Sequence, residues 1–238
     1  MKIKDHSVSG ETFAIWECKD CTLRFTQDVP AAAAIGPYYQ SENYISHSNT
    51  SKGLINRLYQ RVRKKTLRQK RKLVVKKTGK RTGELLDIGS GTGAFVHEMT
   101  TSGWKVTGLE PDAGARKVAV SAFKSPLQDI SELFNLPAAS FDAITMWHVL
   151  EHVHELHRYI ARLAELVKQE GKIFIAVPNY TAVDAGIYGE YWAAWDVPRH
   201  LYHLSPESMK RLIQLHGLQV LDYRPMWYDS FYIAMLSS

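Results

Sequence analysis

Over the first 50 residues the apolar positions follow no sustained period. Turn formers and aromatics crowd there instead, including Pro30, Gly36, Pro37, Tyr38, Tyr39 and Tyr44, so an irregular cap is expected over residues 1–53, with a short hairpin over 13–25. Beyond that point the pattern changes. Between Leu54 and Lys77, Ile55, Leu58, Tyr59, Val62, Thr66 and Leu73 recur near helical spacing while Arg and Lys fill the other positions, which predicts a basic amphipathic helix, with 54–83 as a lid segment. After Gly79 and Gly83, short apolar runs alternate with helical periods, as in a parallel sheet with crossover helices. Strands are predicted at 84–88, 105–110, 141–147 and 171–177, with a weak one at 123–128; helices are predicted at 93–102, 112–122 and 155–168. Pro178 ends the strongest strand, and an aromatic-rich insertion over 179–203 follows, a length that in compact domains tends to carry function. Ser205, followed by Pro206, opens a helix that Gly217 closes. Residues 218–223 and 230–236 are expected to form a closing antiparallel pair, which completes an α/β core over 84–238. The sequence stops at or just after that last strand, so the natural chain is expected to run on.

Composition narrows the class without naming a reaction. With 238 residues, 45% of them hydrophobic and 23% charged, the chain is one generous domain or a domain plus an appendage. No stretch approaches the roughly 18 consecutive apolar residues of a membrane span, and the start, Met1-Lys2-Ile3-Lys4, lacks a secretory apolar core, so a cytoplasmic protein is expected. The formal charge of +6 is concentrated: 14 Lys or Arg and no acid lie between Lys52 and Arg81, leaving 16 basic against 24 acidic residues elsewhere. Three readings of that basic helix stay open: a solvated lid, a surface for an anionic substrate or lipid, and an RNA contact. Aromatics do not interleave its charges, which disfavours stacking on single strands. Cys18 and Cys21 are either two ordinary thiols or half of a zinc ribbon. One pair cannot fill a site of about four ligands, so no metal ligand is assigned.

The chemistry is densest at Leu85-Leu86-Asp87-Ile88-Gly89-Ser90-Gly91-Thr92-Gly93, where three glycines alternate directly after a buried strand and before a helix. Glycine lets the backbone turn sharply and approach a ligand closely, and a helix amino end offers free N–H groups. The spacing also satisfies a dinucleotide fingerprint, and Glu110, 21 residues after Gly89, suits a ribose in either case. Asp87 tips the balance. At the strand end its charge would repel a pyrophosphate, yet it suits a cofactor bearing an ammonium and a sulfonium.

Together with Gly108-Leu109-Glu110-Pro111-Asp112, Phe141-Asp142-Ala143-Ile144, Leu150-Glu151-His152-Val153 and Gly171-Lys172-Ile173-Phe174-Ile175-Ala176-Val177-Pro178-Asn179, that turn resembles the class I S-adenosylmethionine-dependent methyltransferases. The resemblance runs from about residue 54 to 223 and is to the bacterial group that includes the ubiquinone-biosynthesis O-methyltransferases. It implies a Rossmann-like sheet of seven strands, mostly parallel, flanked by helices. It further implies that Asp87, Gly89 and Gly91, with Ser90 and Gly93 in the same turn, surround the methionyl part of the cofactor. Glu110, beside Pro111, would take the ribose hydroxyls, Asp129 would sit near the adenine, and Trp147 and His148 would line the pocket. Some relatives carry an amino-terminal zinc ribbon with two Cys pairs, and such relatives methylate nucleotide sugars at carbon; Cys18 and Cys21 supply one pair.

A rival motif overlaps this one. His148-Val149-Leu150-Glu151-His152 fits the H-x-x-E-H pattern of inverted zinc proteases, but that pattern needs a helix through both histidines, and here a predicted strand leads into the first. On the acceptor side, Tyr191, Trp192 and Trp195 of the insertion are candidate pocket walls, and Arg199, His200 and His203 candidate orienting or proton-accepting groups. The alternative is that Trp192, Trp195 and Tyr202 pack as a satellite core. His148 or His200 is the expected general base. The reading is therefore methyl transfer to a small-molecule acceptor at oxygen or carbon. An RNA methyltransferase or nucleic-acid-binding module using the basic helix is the alternative, and a nicotinamide-dependent dehydrogenase a further rival.

Overall fold

The computed structural model describes residues 1–39 and 54–238, the side chains of the second stretch from 61 onward. Tyr44 of the expected cap and the stripe positions Ile55, Leu58 and Tyr59 lie outside the described residues or side chains. In chain order the elements are β1 (Lys2–Lys4), β2 (Thr12–Glu17), β3 (Arg24–Thr26), α1 (Leu54–Thr78), β4 (Glu84–Ile88), α2 (Ala94–Thr101), β5 (Lys105–Leu109) and α3 (Ala113–Phe123). They continue with β6 (Phe141–Trp147), α4 (Leu156–Leu166), β7 (Val167–Ala176), α5 (Val183–Tyr188), β8 (Tyr202–His203), α6 (Pro206–Leu215) and α7 (Trp227–Leu236). Two compact units result, one of Met1–Ile45, His148–Ile160 and Val177–Ser238, the other of Ser46–Trp147 and Ala161–Ala176.

The second unit is built on a parallel sheet of order β5-β4-β6-β7. Leu85, Leu86, Ile88, Ala143, Ile144 and Met146 are all buried in it, which explains why its central strands read as continuous apolar runs rather than alternating ones. Successive strands fall on opposite sides of β4, so the chain reverses direction across the sheet between β4 and β6. A crevice opens at the carboxyl ends of the strands at such a point. α1, the predicted basic helix, packs on α2, β6 and β7.

Four strands form this sheet among the described residues, not the seven implied by the resemblance. The weak strand expected at 123–128 contracts to a single bridge between Leu109 and Gln128, because Pro126 offers no N–H to a ladder. The closing pair is absent too: residues 218–226 carry no regular structure and 230–236 belong to helix α7. Short apolar runs of this kind fit either period, and here the helical one prevails. β7 starts at Val167, four residues before the predicted strand, through an irregular pairing with β6 near Phe141.

The first unit holds its own antiparallel sheet, β1-β2-β3-β8. β2 and β3 are the expected hairpin, with Trp16 opposite Phe25. β8 comes from the insertion and pairs Arg24 with His203, so 179–203 is structured: α5, two 3-10 turns and a strand that completes this sheet.

Candidate functional site

In the parallel unit, β4 delivers Asp87 and then turns through Gly89, Gly91 and Gly93, all at positive φ (71°, 53° and 77°). An L side chain tolerates that region poorly, which is why glycine occupies it. A Cβ on Gly91 would meet nothing within 4 Å, so the turn leaves open space there, whereas one on Gly93 would lie 2.8 Å from the Cβ of Ala119. Gly91 therefore presents bare backbone, and Gly93 packs α2 against α3.

Asp87 is buried, and its Oδ1 accepts a hydrogen bond from the Thr145 hydroxyl at 2.6 Å. Among the described residues it makes no ion pair, and burial pushes its carboxyl up to about 6 despite the Thr145 bond. Glu110, the first residue after β5, accepts from the Gly91 N–H at 2.7 Å and the Asp112 N–H at 3.0 Å, so its two oxygens face the glycine turn and its own loop. Asp129 stands beside it through the bond from the Glu110 N–H to the Gln128 carbonyl, and is held by Arg116 at 2.8 Å. Sequence reasoning singled out each of these carboxylates; it did not find Thr145, which sits 58 residues from Asp87 and is aligned with it by the β4–β6 register.

Part of the basic helix faces inward. Arg63 donates to the Thr92 hydroxyl in the glycine turn at 3.1 Å, Arg71 pairs with Glu98 at 2.8 Å, and the Lys70 ammonium lies 4.7 Å from the Trp147 ring centroid. Phe95 meets the same indole edge-on, which fixes Trp147 at the end of β6. Of these cations Arg63 reaches the glycine turn itself, where the Glu110 carboxylate also accepts from the Gly91 N–H.

The methyltransferase-domain family matches residues 59–223. The ubiquinone biosynthesis O-methyltransferase of Nitrosococcus oceani is 32% identical over 160 residues, 60% of this chain and 68% of that one. The rat mitochondrial protein of the same name is 30% identical over 62% of this chain, which spans about half, 48%, of its length. A crystal structure described as a SAM-dependent methyltransferase from Archaeoglobus fulgidus superposes with a TM-score of 0.54 at 20% identity, covering 73% of this chain and 86% of that one.

The chain belongs to the methyltransferase-domain family. It is a class I enzyme with S-adenosylmethionine as its cofactor, and the residues of the crevice fit that molecule: a buried carboxylate for a cation and an open glycine turn.

The antiparallel unit contains the remaining residues expected at a methyltransferase site. His148, directly after β6, has a positive φ of 59°, is 39% exposed at its side chain, and is held through Nε2 by Asp229 at 2.8 Å. Tyr191 is exposed at 61%. Five other candidates, Trp192, Trp195, Arg199, His200 and His203, are buried. Trp192 and Trp195 pack with Ile3, Phe13, Ile15 and Val197 in a core cluster, so they are walls of the fold and not of an open pocket. Arg199 is buried and saturated, giving bonds to Asp5 at 2.9 Å and Asp196 at 2.7 Å. His203 is buried, bonded to the Thr26 hydroxyl at 3.0 Å, and burial holds its pKa well below the ordinary value. His200, also buried, contacts the Ala194 carbonyl at 2.8 Å through Nδ1, so it is poorly placed as a solvent-facing base. Sequence alone missed Asp5 and Asp196, the two carboxylates that claim Arg199.

Proposed function

We propose that this methyltransferase acts on a hydroxyl- or carbanion-bearing small molecule, transferring the methyl group to oxygen or carbon. Asp87 carries the reading, because a buried carboxylate without an ion-pair partner among the described residues suits an ammonium and opposes a diphosphate. S-adenosylmethionine supplies an electrophilic methyl group on a sulfonium. Asp87 binds its ammonium, Gly89, Ser90, Gly91 and Gly93 leave room for its methionyl part, Glu110 beside Pro111 takes the ribose hydroxyls, and Asp129 stands toward the adenine. Trp147 closes the apolar side and helps exclude water.

His148 is the proposed general base. With Nε2 directed at the Asp229 carboxylate, the N–H sits on Nε2 and Nδ1 keeps the lone pair that takes the acceptor's proton. The inward use of Arg63, Lys70 and Arg71 supports a lid role for α1, and with it a small-molecule acceptor in preference to RNA. No helix among the described residues is long and apolar enough to cross a membrane.

The test is incubation of the purified chain with S-adenosylmethionine and either a panel of hydroxylated aromatic and sugar acceptors or total RNA, read by mass spectrometry for a 14-dalton gain, about one CH₂. Methylation confined to small molecules is the expected result. In His148→Ala turnover should fall by roughly 10²–10⁴ with cofactor affinity retained; unchanged turnover rules His148 out as the base, and methylated RNA with no small-molecule product overturns the acceptor class.

A further inference from the structure

Within the antiparallel unit three ligand-type side chains converge. Glu151 and His152 lie in the 3-10 turn Leu150–His152, and His200 lies at the end of the insertion. One ligand atom from each falls within 4.8 Å of the other two. Glu151 is 1% exposed, and neither of its carboxylate oxygens has a hydrogen-bond partner. Buried carboxylates are normally paired, hydrogen-bonded or bound to a cation. The groups around it do not meet that need: His148 Nδ1 is 3.8 Å from Oε1, beyond a hydrogen bond, and Arg199 is committed to Asp5 and Asp196.

The two imidazoles are set in a ligating tautomer. Nδ1 of His152 lies 3.0 Å from the Arg199 carbonyl oxygen and 3.1 Å from the Tyr39 hydroxyl, and Nδ1 of His200 lies 2.8 Å from the Ala194 carbonyl oxygen. A carbonyl can only accept, so the His200 Nδ1 carries the hydrogen and its Nε2 keeps a lone pair; the Arg199 carbonyl asks for the same tautomer at His152, with the Tyr39 hydroxyl oxygen as a second acceptor. Backbone carbonyls on the far nitrogen are the usual outer shell of metal-bound histidines. The rings meet edge to face at 4.6 Å between centroids. Asp196 Oδ2, 3.9 Å from His200 Nε2, is outside hydrogen-bond reach of it.

We propose that Glu151, His152 and His200 form a three-ligand site for a divalent transition metal of the zinc or cobalt type. Two imidazoles and one carboxylate match that class; magnesium and calcium prefer all-oxygen shells. Metal bonds of roughly 2.0–2.1 Å put ligand atoms about 3.4 Å apart, so closing from 4.8 Å asks each side chain to move by roughly 0.8 Å. Water fills the fourth position, with His148 beside it. The ion would tie the turn after β6 to the insertion, and it assigns to the H-x-x-E-H stretch a ligand pair, Glu151 and His152, that differs from the two histidines of a protease.

The test uses the full chain, stripped with a chelator and titrated with Co²⁺. One equivalent should bind with visible d–d absorption and be displaced by Zn²⁺, and the metal should raise the melting temperature. Glu151→Gln, near-isosteric and free of the buried charge, and His200→Ala should each weaken binding at least tenfold, while S-adenosylmethionine affinity measured by calorimetry confirms that the variants are folded. If Glu151→Gln fails to fold, His152→Asn takes its place. The Cys18→Ser/Cys21→Ser chain should bind as the parent does, without a thiolate charge-transfer band. Equal Co²⁺ affinity in the parent and the folded ligand variants, loss of binding in the cysteine variant, or absence of stoichiometric binding by the parent each overturns the site.

Discussion

At the residue scale the protein turns on one carboxylate held in an unfavourable place. Water would keep Asp87 ionised at any ordinary pH, but burial raises it from 3.8 to about 6 before the cofactor binds. The ionised form is the one that attracts an ammonium, so affinity for S-adenosylmethionine should be level above that value and fall as pH drops through it, approaching about tenfold per pH unit below. Calorimetric titration between pH 5 and 8 checks this, and Asp87→Asn should bind weakly with a flat profile; a slope that survives in the variant would mean another group is titrating. Asp87 and its glycines were legible because turn chemistry is local, with Asp87 and Gly93 only six positions apart. Thr145, which holds the carboxylate, was not, because its approach depends on strand pairing.

At the scale of elements, the glycine turn couples a conformational demand to a packing demand. Gly93 has a φ of 77° and would place a Cβ 2.8 Å from the Cβ of Ala119 in α3. Gly93→Ala should therefore cost about 1–3 kcal/mol through strain and overpacking together, read as a lower urea midpoint. No loss of stability would show that α2 and α3 can separate freely. The alternating strands and helices from β4 to β7 were legible in the sequence because their periods are long and distinct. Residues 218–236 were not: aromatics such as Trp227, Tyr228, Phe231 and Tyr232 favour strands by propensity, yet the segment from Trp227 forms a helix, since short apolar runs carry no decisive period. The insertion was marked as functional by its length, and part of it proved to be a sheet strand and core.

For the molecule as a whole, the longest-range ion pair among the described residues lies in the Asp5–Arg199–Asp196 group, spanning 194 residues of chain. Arg199→Met should destabilise the protein by about 3 kcal/mol, because it leaves the buried Asp5 carboxylate without its counter-ion and with only the Ser7–Ser9 donors, and chemical denaturation measures it. Burial works to raise the Asp5 pKa, but Arg199 and the Ser9 N–H outweigh it and hold the carboxyl at about 2. A lowered acid contributes stability that is complete above its unfolded value, 3.8, and is lost as pH falls toward 2. Stability should thus decline over that acid window, and Asp5→Asn should flatten the decline. Asp87 has the opposite sign: without cofactor its contribution is present below 3.8 and lost as pH rises through about 6. The sequence by itself determined the glycine turn, the basic helix and the alternation of strand and helix, because residue spacing and turn chemistry act over a few positions. Tertiary structure alone decided that Arg199 would be spent on Asp5, that the tryptophans of the insertion would become core, and that Glu151, His152 and His200 would meet. Those encounters depend on how distant segments close on one another, and no local pattern encodes that.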